Sequence, residues 1–168
     1  ANWSACTTQV LGGAVFLGGR DVALCRDGTG ALLMFGGWRP GFGIGGGTPM
    51  VLDGTWRIVA NSTGLLQLSQ LTPATRPSPR QGASMVRTSQ GVLLFGGSAV
   101  NGFPQYGDSW EWNGTTWTQL APANAPPART TAAMAFDEAR QVVVLFGGIG
   151  PGIVFDDTWE FDGSNWLL

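Results

Sequence analysis

The stretch "VVVLFGGIGPGIVFDDTWEFDGSNW", residues 142–166, places a run of branched apolar residues directly ahead of Phe-Gly-Gly. An apolar run without polar alternation predicts a strand that is covered on both faces. After a loop comes Asp-Thr-Trp, and Asp162-Gly163 then precedes a second tryptophan. Because Asp-Gly is typical of a type I′ hairpin turn, the stretch predicts three short antiparallel strands.

The same pattern occurs three times in the chain of 168 residues. Apolar runs end in Phe-Gly-Gly at Gly37, Gly97 and Gly148, with separations of 60 and 51 residues. An arginine lies 16, 16 and 18 residues ahead of the first glycine of each pair, and Asp, small residues and Trp follow each pair. Each copy therefore predicts four strands: one after the arginine, one into the glycines, one with the Trp and one after a tight turn.

Positions that recur once per copy are interpreted as structural. The arginines are predicted to bond carbonyl groups or aspartates between units, and the strand tryptophans to fill the core between units rather than to bind sugars. Asp53, Asp108 and Asp157 are predicted to satisfy turn backbone rather than to bind a metal. The recurring positions are Arg20, Arg80, Arg129, Gly36, Gly37, Gly96, Gly97, Gly147, Gly148, Trp56, Trp110 and Trp159.

These features resemble the kelch family of β-propellers: a Gly-Gly pair closing the second strand, spaced aromatics on the third and fourth strands, and "PSPR" or "PPAR" ahead of the first. The resemblance implies an all-β fold of about three four-stranded antiparallel blades, forming a partial or assembled propeller. The first copy departs from the pattern, with Leu65 where the others have Trp117 and Trp166, and with a longer loop after its glycines. The predicted units are residues 1–19 (an extra strand and linker), 20–76, 77–125 and 126–168.

Three blades are too few to close a ring, because propellers take about four to eight blades. Exposed sheet edges and apolar blade faces favour association. The predicted partner is therefore protein: either the rest of a longer propeller or copies of the same chain, in a ring or an open stack.

Composition excludes several functions. The net charge is −2 and the nine basic residues, all Arg, are scattered, which argues against nucleic acid and anionic membranes. No apolar run approaches the roughly 20 residues that cross a bilayer, so membrane insertion is not expected. Histidine is absent and Tyr106 is the one tyrosine, whereas the copper oxidases of the kelch family, as the resemblance implies, use two tyrosines and two histidines. Neither an imidazole base nor a convincing carboxylate pair is present, so no catalysis, cofactor or metal is predicted.

Loop residues are the candidates for partner contact. "GFGIGGG", residues 41–47, matches a dinucleotide-binding pattern by letters, but a strand pattern rather than a helix follows it, so it is interpreted as a loop. The aromatic residues predicted to contact partners are Trp38, Phe42, Phe103 and Tyr106.

Two cysteines, Cys6 and Cys25, allow either a disulfide or two free thiols. Sequons at Asn2, Asn61 and Asn113 suggest secretion in a eukaryote, while an all-Arg basic complement suggests a GC-rich bacterial genome. The sequence predicts a non-catalytic module, extracellular or on the cell surface, that mediates protein association or self-assembly. The alternative is a module whose loops bind a carbohydrate or another ligand, so glycans are a second possible partner.

Overall fold

The computed structural model describes residues 20–41 and 47–168. In these ranges the chain is all-β, and the one helical segment is a 3-10 turn at Val100–Gly102. Within them, no helix is long and apolar enough to cross a membrane. The strands are β1 (Ala23–Arg26), β2 (Leu32–Phe35), β3 (Trp38–Arg39), β4 (Met50–Val51), β5 (Thr55–Ala60), β6 (Leu66–Leu71), β7 (Ser84–Arg87), β8 (Val92–Phe95), β9 (Ser109–Trp112), β10 (Trp117–Gln119), β11 (Ala133–Asp137), β12 (Val142–Gly150), β13 (Ile153–Phe161) and β14 (Trp166–Leu167).

All of these strands except β3 and β4 belong to three antiparallel sheets of four strands. The first sheet has the order β1-β2-β5-β6, the second β7-β8-β9-β10 and the third β11-β12-β13-β14. β3 and β4 pair with each other in the long loop of the first unit. Each sheet follows chain order and lies within one of the three predicted units. The predicted all-β fold of four-stranded, blade-like sheets is confirmed.

β8, the second strand of the middle sheet, is buried on both faces, as its uninterrupted apolar sequence predicts. In β8, Val92 and Leu94 belong to a core shared with the first sheet. Leu93 and Phe95, the alternate residues, belong to a second core shared with the third sheet. The second sheet is therefore packed between its two neighbours.

The three sheets approach each other along their first strands. β7 lies next to both β1 and β11, whereas β6, β10 and β14 form the opposite edges of the sheets. The sheets therefore converge toward their first strands, as blades do around the axis of a β-propeller.

The hairpins before the fourth strands form, but the predicted type I′ turn is wrong. In the second unit Gly114 has a φ of +106°, whereas Asn113 is outside the left-handed region that type I′ requires. The Asn113 side chain instead accepts hydrogen bonds from the N–H groups of Thr115 and Thr116, both at 3.0 Å. Asp162 accepts two such bonds in the third unit, so these turns are closed by a side-chain oxygen.

The third sheet differs from the others at its glycine pair. In the first two units the second strand ends at the phenylalanine before the glycines, but β12 continues through Gly147 and Gly148 to Gly150. A shift in register between Phe146 and Gly148 marks a β-bulge there. β12 and β13, with nine residues each, consequently form a longer hairpin than the second and third strands of the other sheets.

Candidate functional site

Arg80 fixes the end of the second sheet through its side chain. The guanidinium is fully buried and donates to both carboxylate oxygens of Asp108, at 2.6 and 2.9 Å. It also donates to the Gly96 carbonyl at 2.9 Å and lies over the Tyr106 ring, 4.3 Å from its centre. The Trp110 indole donates to the same carboxylate at 2.7 Å. One arginine thus contacts the glycine pair at Gly96, the following loop at Tyr106, and Asp108 directly before the third strand of its unit.

Arg129 makes the same contacts in the third sheet. Its guanidinium is fully buried, pairs with both oxygens of Asp157 and donates to the Gly147 carbonyl at 2.9 Å. It lies 3.8 Å from the centre of the Phe155 ring, and Trp159 donates to Asp157 at 2.8 Å. The guanidinium groups of Arg80 and Arg129 therefore bond a carbonyl and an aspartate, as predicted, but every partner lies in the arginine's own unit. The prediction that these bonds run between units is wrong.

Both carboxyls are held ionised by these contacts. Burial alone would raise the pKa of Asp108, but the hydrogen bonds and charge of Arg80, with the Trp110 bond, lower it below the usual value. At Asp157 the hydrogen bond from Arg129 is the main cause of a pKa below the usual value. The aspartates therefore serve as partners of buried arginines, and not as the turn-forming residues that the sequence predicted.

Arg20 does not occupy the corresponding position in the first unit, contrary to the sequence alignment. Its backbone N–H and carbonyl exchange hydrogen bonds with Trp38, just as those of Gln81 do with Ser98 in the second unit. Arg20 is thus equivalent to Gln81, one residue after Arg80. Its side chain is 71% exposed and lies over the Trp38 ring, 4.2 Å from the centre, while Asp53 pairs with Arg76 at 2.8 Å instead.

The cause of this misalignment is the turn between the first two strands. Five residues, 27–31, separate β1 from β2, whereas four residues, 88–91, separate β7 from β8. The longer turn restores the spacing of 16 residues from arginine to glycine in the first unit, although the arginine has moved by one position.

A buried tryptophan on the fourth strand connects the second sheet to the first, and another connects the third sheet to the second. Trp117, in β10, donates from its indole to the Thr55 hydroxyl of the first sheet at 3.0 Å. Its ring lies edge-on to Phe35, with 5.4 Å between the ring centres. Trp117 is 0% exposed, which confirms the prediction that the fourth-strand tryptophans fill the core between units.

Trp166, in β14, makes the same connection to the second sheet. Its indole donates to the Ser109 hydroxyl at 3.0 Å, its ring lies 5.3 Å from that of Phe95, and it is 0% exposed. The acceptor side of each junction is therefore a phenylalanine at the end of the second strand, paired with a Thr or Ser on the third.

The first sheet has a leucine at the tryptophan position, but not the predicted one. Trp117 is opposite Trp112, and Trp112 is opposite the first residue of the second strand. In the first sheet, Leu32 is the first residue of the second strand; it is opposite Ile58, and Ile58 is opposite Leu68. Leu68 therefore occupies the tryptophan position, and the prediction that Leu65 does so is wrong. The hairpin of β5 and β6 has two more residue pairs than that of β9 and β10, and this difference shifted the sequence alignment.

Backbone hydrogen bonds reinforce both junctions. At the first, the Gly37 N–H donates to the Arg80 carbonyl at 2.8 Å and the Arg80 N–H donates to the Leu52 carbonyl at 3.1 Å. At the second junction, the Gly97 N–H donates to the Arg129 carbonyl at 2.9 Å and the Arg129 N–H donates to the Tyr106 carbonyl at 3.1 Å.

The glycine before each of these donors allows the close approach. A Cβ on Gly36 or Gly96 would lie 2.4 Å from the carbonyl oxygen of the arginine in the next sheet, closer than any real contact. Both glycines also have a φ of +69°, in the left-handed region that favours glycine. At Gly147, by contrast, the one atom that a Cβ would meet within 4 Å is the Phe155 carbonyl oxygen, at 3.2 Å.

The third sheet presents the same acceptor face without a sheet against it. The residues equivalent to Phe95 and Ser109 are Phe146 and Thr158, which are opposite each other in β12 and β13. Phe146 is 54% exposed, whereas Phe35 and Phe95 are each 1% exposed. We call this face the open flank; its residues are Ala133, Ala135, Val144, Phe146, Thr158 and Glu160.

The predicted partner-contact residues lie in different settings. Trp38 and Tyr106 are half-buried beneath Arg20 and Arg80, and Phe103 is 62% exposed beside the 3-10 turn. Phe42 lies outside the described residues. Contact of these aromatic residues with a partner stays a prediction.

Two cavities lie near the turns after the first strands. A partly open one of about 140 Å³ lies between the second and third sheets and is lined by residues that include Leu93, Glu111 and Phe161. A wider depression of about 680 Å³ includes Arg26, Arg87 and Glu138. In the described ranges, no group of three or more His, Cys, Asp or Glu could hold a metal ion.

Cys25 lies on β1 and is half-buried. Burial raises its pKa to about 12, although the charge of Arg87 opposes the shift. Cys6 lies outside the described residues, so a disulfide between the two cysteines and two free thiols both stay open as predictions.

No protein-family model and no curated protein matches the chain. Function is therefore inferred from the junctions and the open flank.

Proposed function

We propose that the chain is a non-catalytic, kelch-type propeller segment that acts by protein association. Its open flank receives a further sheet in the way that the first and second sheets receive their neighbours. An extracellular or cell-surface location goes with this proposal as a prediction from the sequence.

The exposure of Phe146 carries the proposal. At the two internal junctions the equivalent phenylalanine is almost fully covered by the next sheet, yet Phe146 is more than half exposed. Fully burying an exposed phenylalanine side chain stabilises by about 1.5–3 kcal/mol, so covering the exposed half of Phe146 contributes about 1–1.5 kcal/mol. Leu167, 56% exposed, lies opposite Glu160 and extends the apolar surface.

The polar groups of the open flank fit the same role. Thr158 is exposed and supplies the hydroxyl that Thr55 and Ser109 use at the internal junctions. The Glu160 carboxylate accepts a hydrogen bond from Arg140 at 2.7 Å. The ion pair lies on the surface and leaves Phe146 and Thr158 accessible.

An extended chain tests the proposal. Because Trp166 is equivalent to Trp117, a copy of residues 120–168 joined after Leu168 continues the repeat in phase. Hydroxyl-radical footprinting of the 168-residue and extended chains measures the access of water to Phe146. We expect strong protection of Phe146 in the extended chain and unchanged labelling of Phe103, which lies on a loop. Equal labelling of Phe146 in the two chains would refute the proposal.

Ligand binding is a second candidate function, favoured by the wider depression. Its volume of about 680 Å³ is within the usual range for small-molecule sites. Calorimetric titration with a panel of mono- and oligosaccharides tests this function, with Glu138→Gln as the variant that should weaken any binding. An absence of heat across the panel would argue against a glycan partner.

A further inference from the structure

We infer that the open flank is specific for a sheet that carries a tryptophan on its fourth strand, and that the first sheet of a second copy is not its partner. This inference rests on the proposed function and identifies the chemistry of the partner.

The two internal junctions define what the flank accepts. In each, an indole enters between a phenylalanine and a hydroxyl: Trp117 between Phe35 and Thr55, and Trp166 between Phe95 and Ser109. Indole nitrogen is a donor with no acceptor capacity, so in a fully buried position it needs an oxygen partner. The hydroxyl supplies that oxygen in both junctions.

The open flank repeats this site in the same register. Phe146 is opposite Thr158 as Phe95 is opposite Ser109, and Phe35 is opposite Thr55. The residue on the first strand beside each phenylalanine is also small in all three sheets: Ala23, Ser84 and Ala133. The third sheet thus retains the shape and the acceptor of a tryptophan site.

A leucine on the partner would leave this site incomplete. Its side chain is smaller than an indole, so a cavity would remain beside Phe146, and the Thr158 hydroxyl would be buried without the donor. The first sheet of this chain carries Leu68 at the position in question. A second copy that docked by its first sheet would therefore supply the wrong group.

The face of the first sheet that would meet the open flank is only partly exposed. Met34 is equivalent to Leu94 and Leu145, the residues that face the preceding sheet and are each 0% exposed. Met34 is already only 4% exposed within the single chain. Leu24, the residue opposite Met34 on β1, is 47% exposed, so this face is covered at Met34 and open at its first strand. The exclusion of the first sheet therefore depends on Leu68.

The extended chain again provides the test, with two changes made separately. In the appended unit, the tryptophan that copies Trp166 is replaced by leucine, and on the flank Thr158→Val removes the acceptor. We expect each change to lower the Tm of the extended chain, by about 2–4 °C for Thr158→Val, and the leucine to restore part of the labelling of Phe146. In the 168-residue chain, Thr158→Val should leave the Tm unchanged because the hydroxyl is exposed there.

The outcomes separate this inference from the proposed function. If Phe146 is protected equally by the tryptophan and leucine units, a further sheet docks but the specificity for tryptophan is refuted. If neither unit protects Phe146, both the inference and the proposed function fail. Light scattering of the 168-residue chain tests the second copy: oligomers that are abolished by Phe146→Arg would support association through the flank and overturn the exclusion of the first sheet.

Discussion

The buried Arg80 gives the sharpest test of the structure, because Arg20 offers a matched control. Replacing Arg80 by leucine leaves the Asp108 carboxylate without its bidentate partner and the Gly96 carbonyl without a donor. Removing one member of a buried ion pair costs about 3–5 kcal/mol. The Asp108 side chain is 20% exposed, so water can solvate it in part, and we expect the low end of that range, about 3 kcal/mol.

Urea denaturation followed by tryptophan fluorescence measures the loss. With a dependence on denaturant of about 2–3 kcal/mol/M, the Arg80→Leu midpoint should fall by about 1–1.5 M. Arg20→Leu should change stability by less than about 1 kcal/mol, because its side chain is 71% exposed. Arg80→Lys keeps the charge but not the bidentate geometry, so its loss should be intermediate.

The result that would refute this reasoning is an equal loss for Arg20→Leu and Arg80→Leu. Equal losses would mean that the two arginines are equivalent, as their sequence spacing suggests, and that the one-residue offset between the first and second units is incorrect. If Arg80→Leu does not fold, a double-mutant cycle of Arg80→Lys with Asp108→Asn still measures the coupling between the two side chains.

Three further predictions concern the junctions. Trp117→Phe removes the indole donor, and thermal unfolding should show a loss of at least about 1 kcal/mol with the fold retained by circular dichroism. Gly96→Ala should cost clearly more than the roughly 1–2 kcal/mol of a left-handed alanine, because the new Cβ meets the Arg129 carbonyl; Gly152→Ala, with a φ of +76° and nothing within 4 Å, is its control, and equal costs would contradict the close approach. Since the folded-state pKa of Asp108 is lowered, its contribution to stability is present above the ordinary aspartate pKa of 3.8 and is lost as the pH falls through the lowered pKa; the difference in Tm between the native chain and Asp108→Asn should therefore be largest near neutral pH and shrink on acidification, and a constant difference would refute it.

Repetition made the fold predictable from the sequence. Three copies of one apolar and glycine pattern fixed the number of strands per unit, and the buried, recurring Trp117 and Trp166 behave as that pattern predicts. What repetition could not supply was register. The extra residue between β1 and β2 and the longer hairpin before β6 each shift the alignment without changing the spacing of the conspicuous residues.

The open flank was predictable in kind but not in position. Counting blades predicted an uncovered face, yet the sequence does not show which residues of the third unit lie on it. That assignment needs the pairing of Phe146 with Thr158, which the β-bulge at the glycine pair makes difficult to derive from alternation alone. A partial signal was available: aligning Trp117 with Trp166, and the Asp-x-Trp segments with each other, places Thr158 beside Ser109.

The main-chain hydrogen bonds between sheets have a consequence for the evolution of such proteins. The Gly82 N–H donates to the Asp21 carbonyl and the Thr131 N–H donates to the Gly82 carbonyl, each at 2.8 Å, with three different amino acids in one left-handed conformation. Because these bonds involve only main-chain atoms, a unit gained or lost by recombination between repeats can rejoin its neighbours before its side chains have adapted. The first unit has Leu68 at the tryptophan position and an arginine one position later than Arg80 and Arg129, yet it forms the same main-chain bonds at its junction.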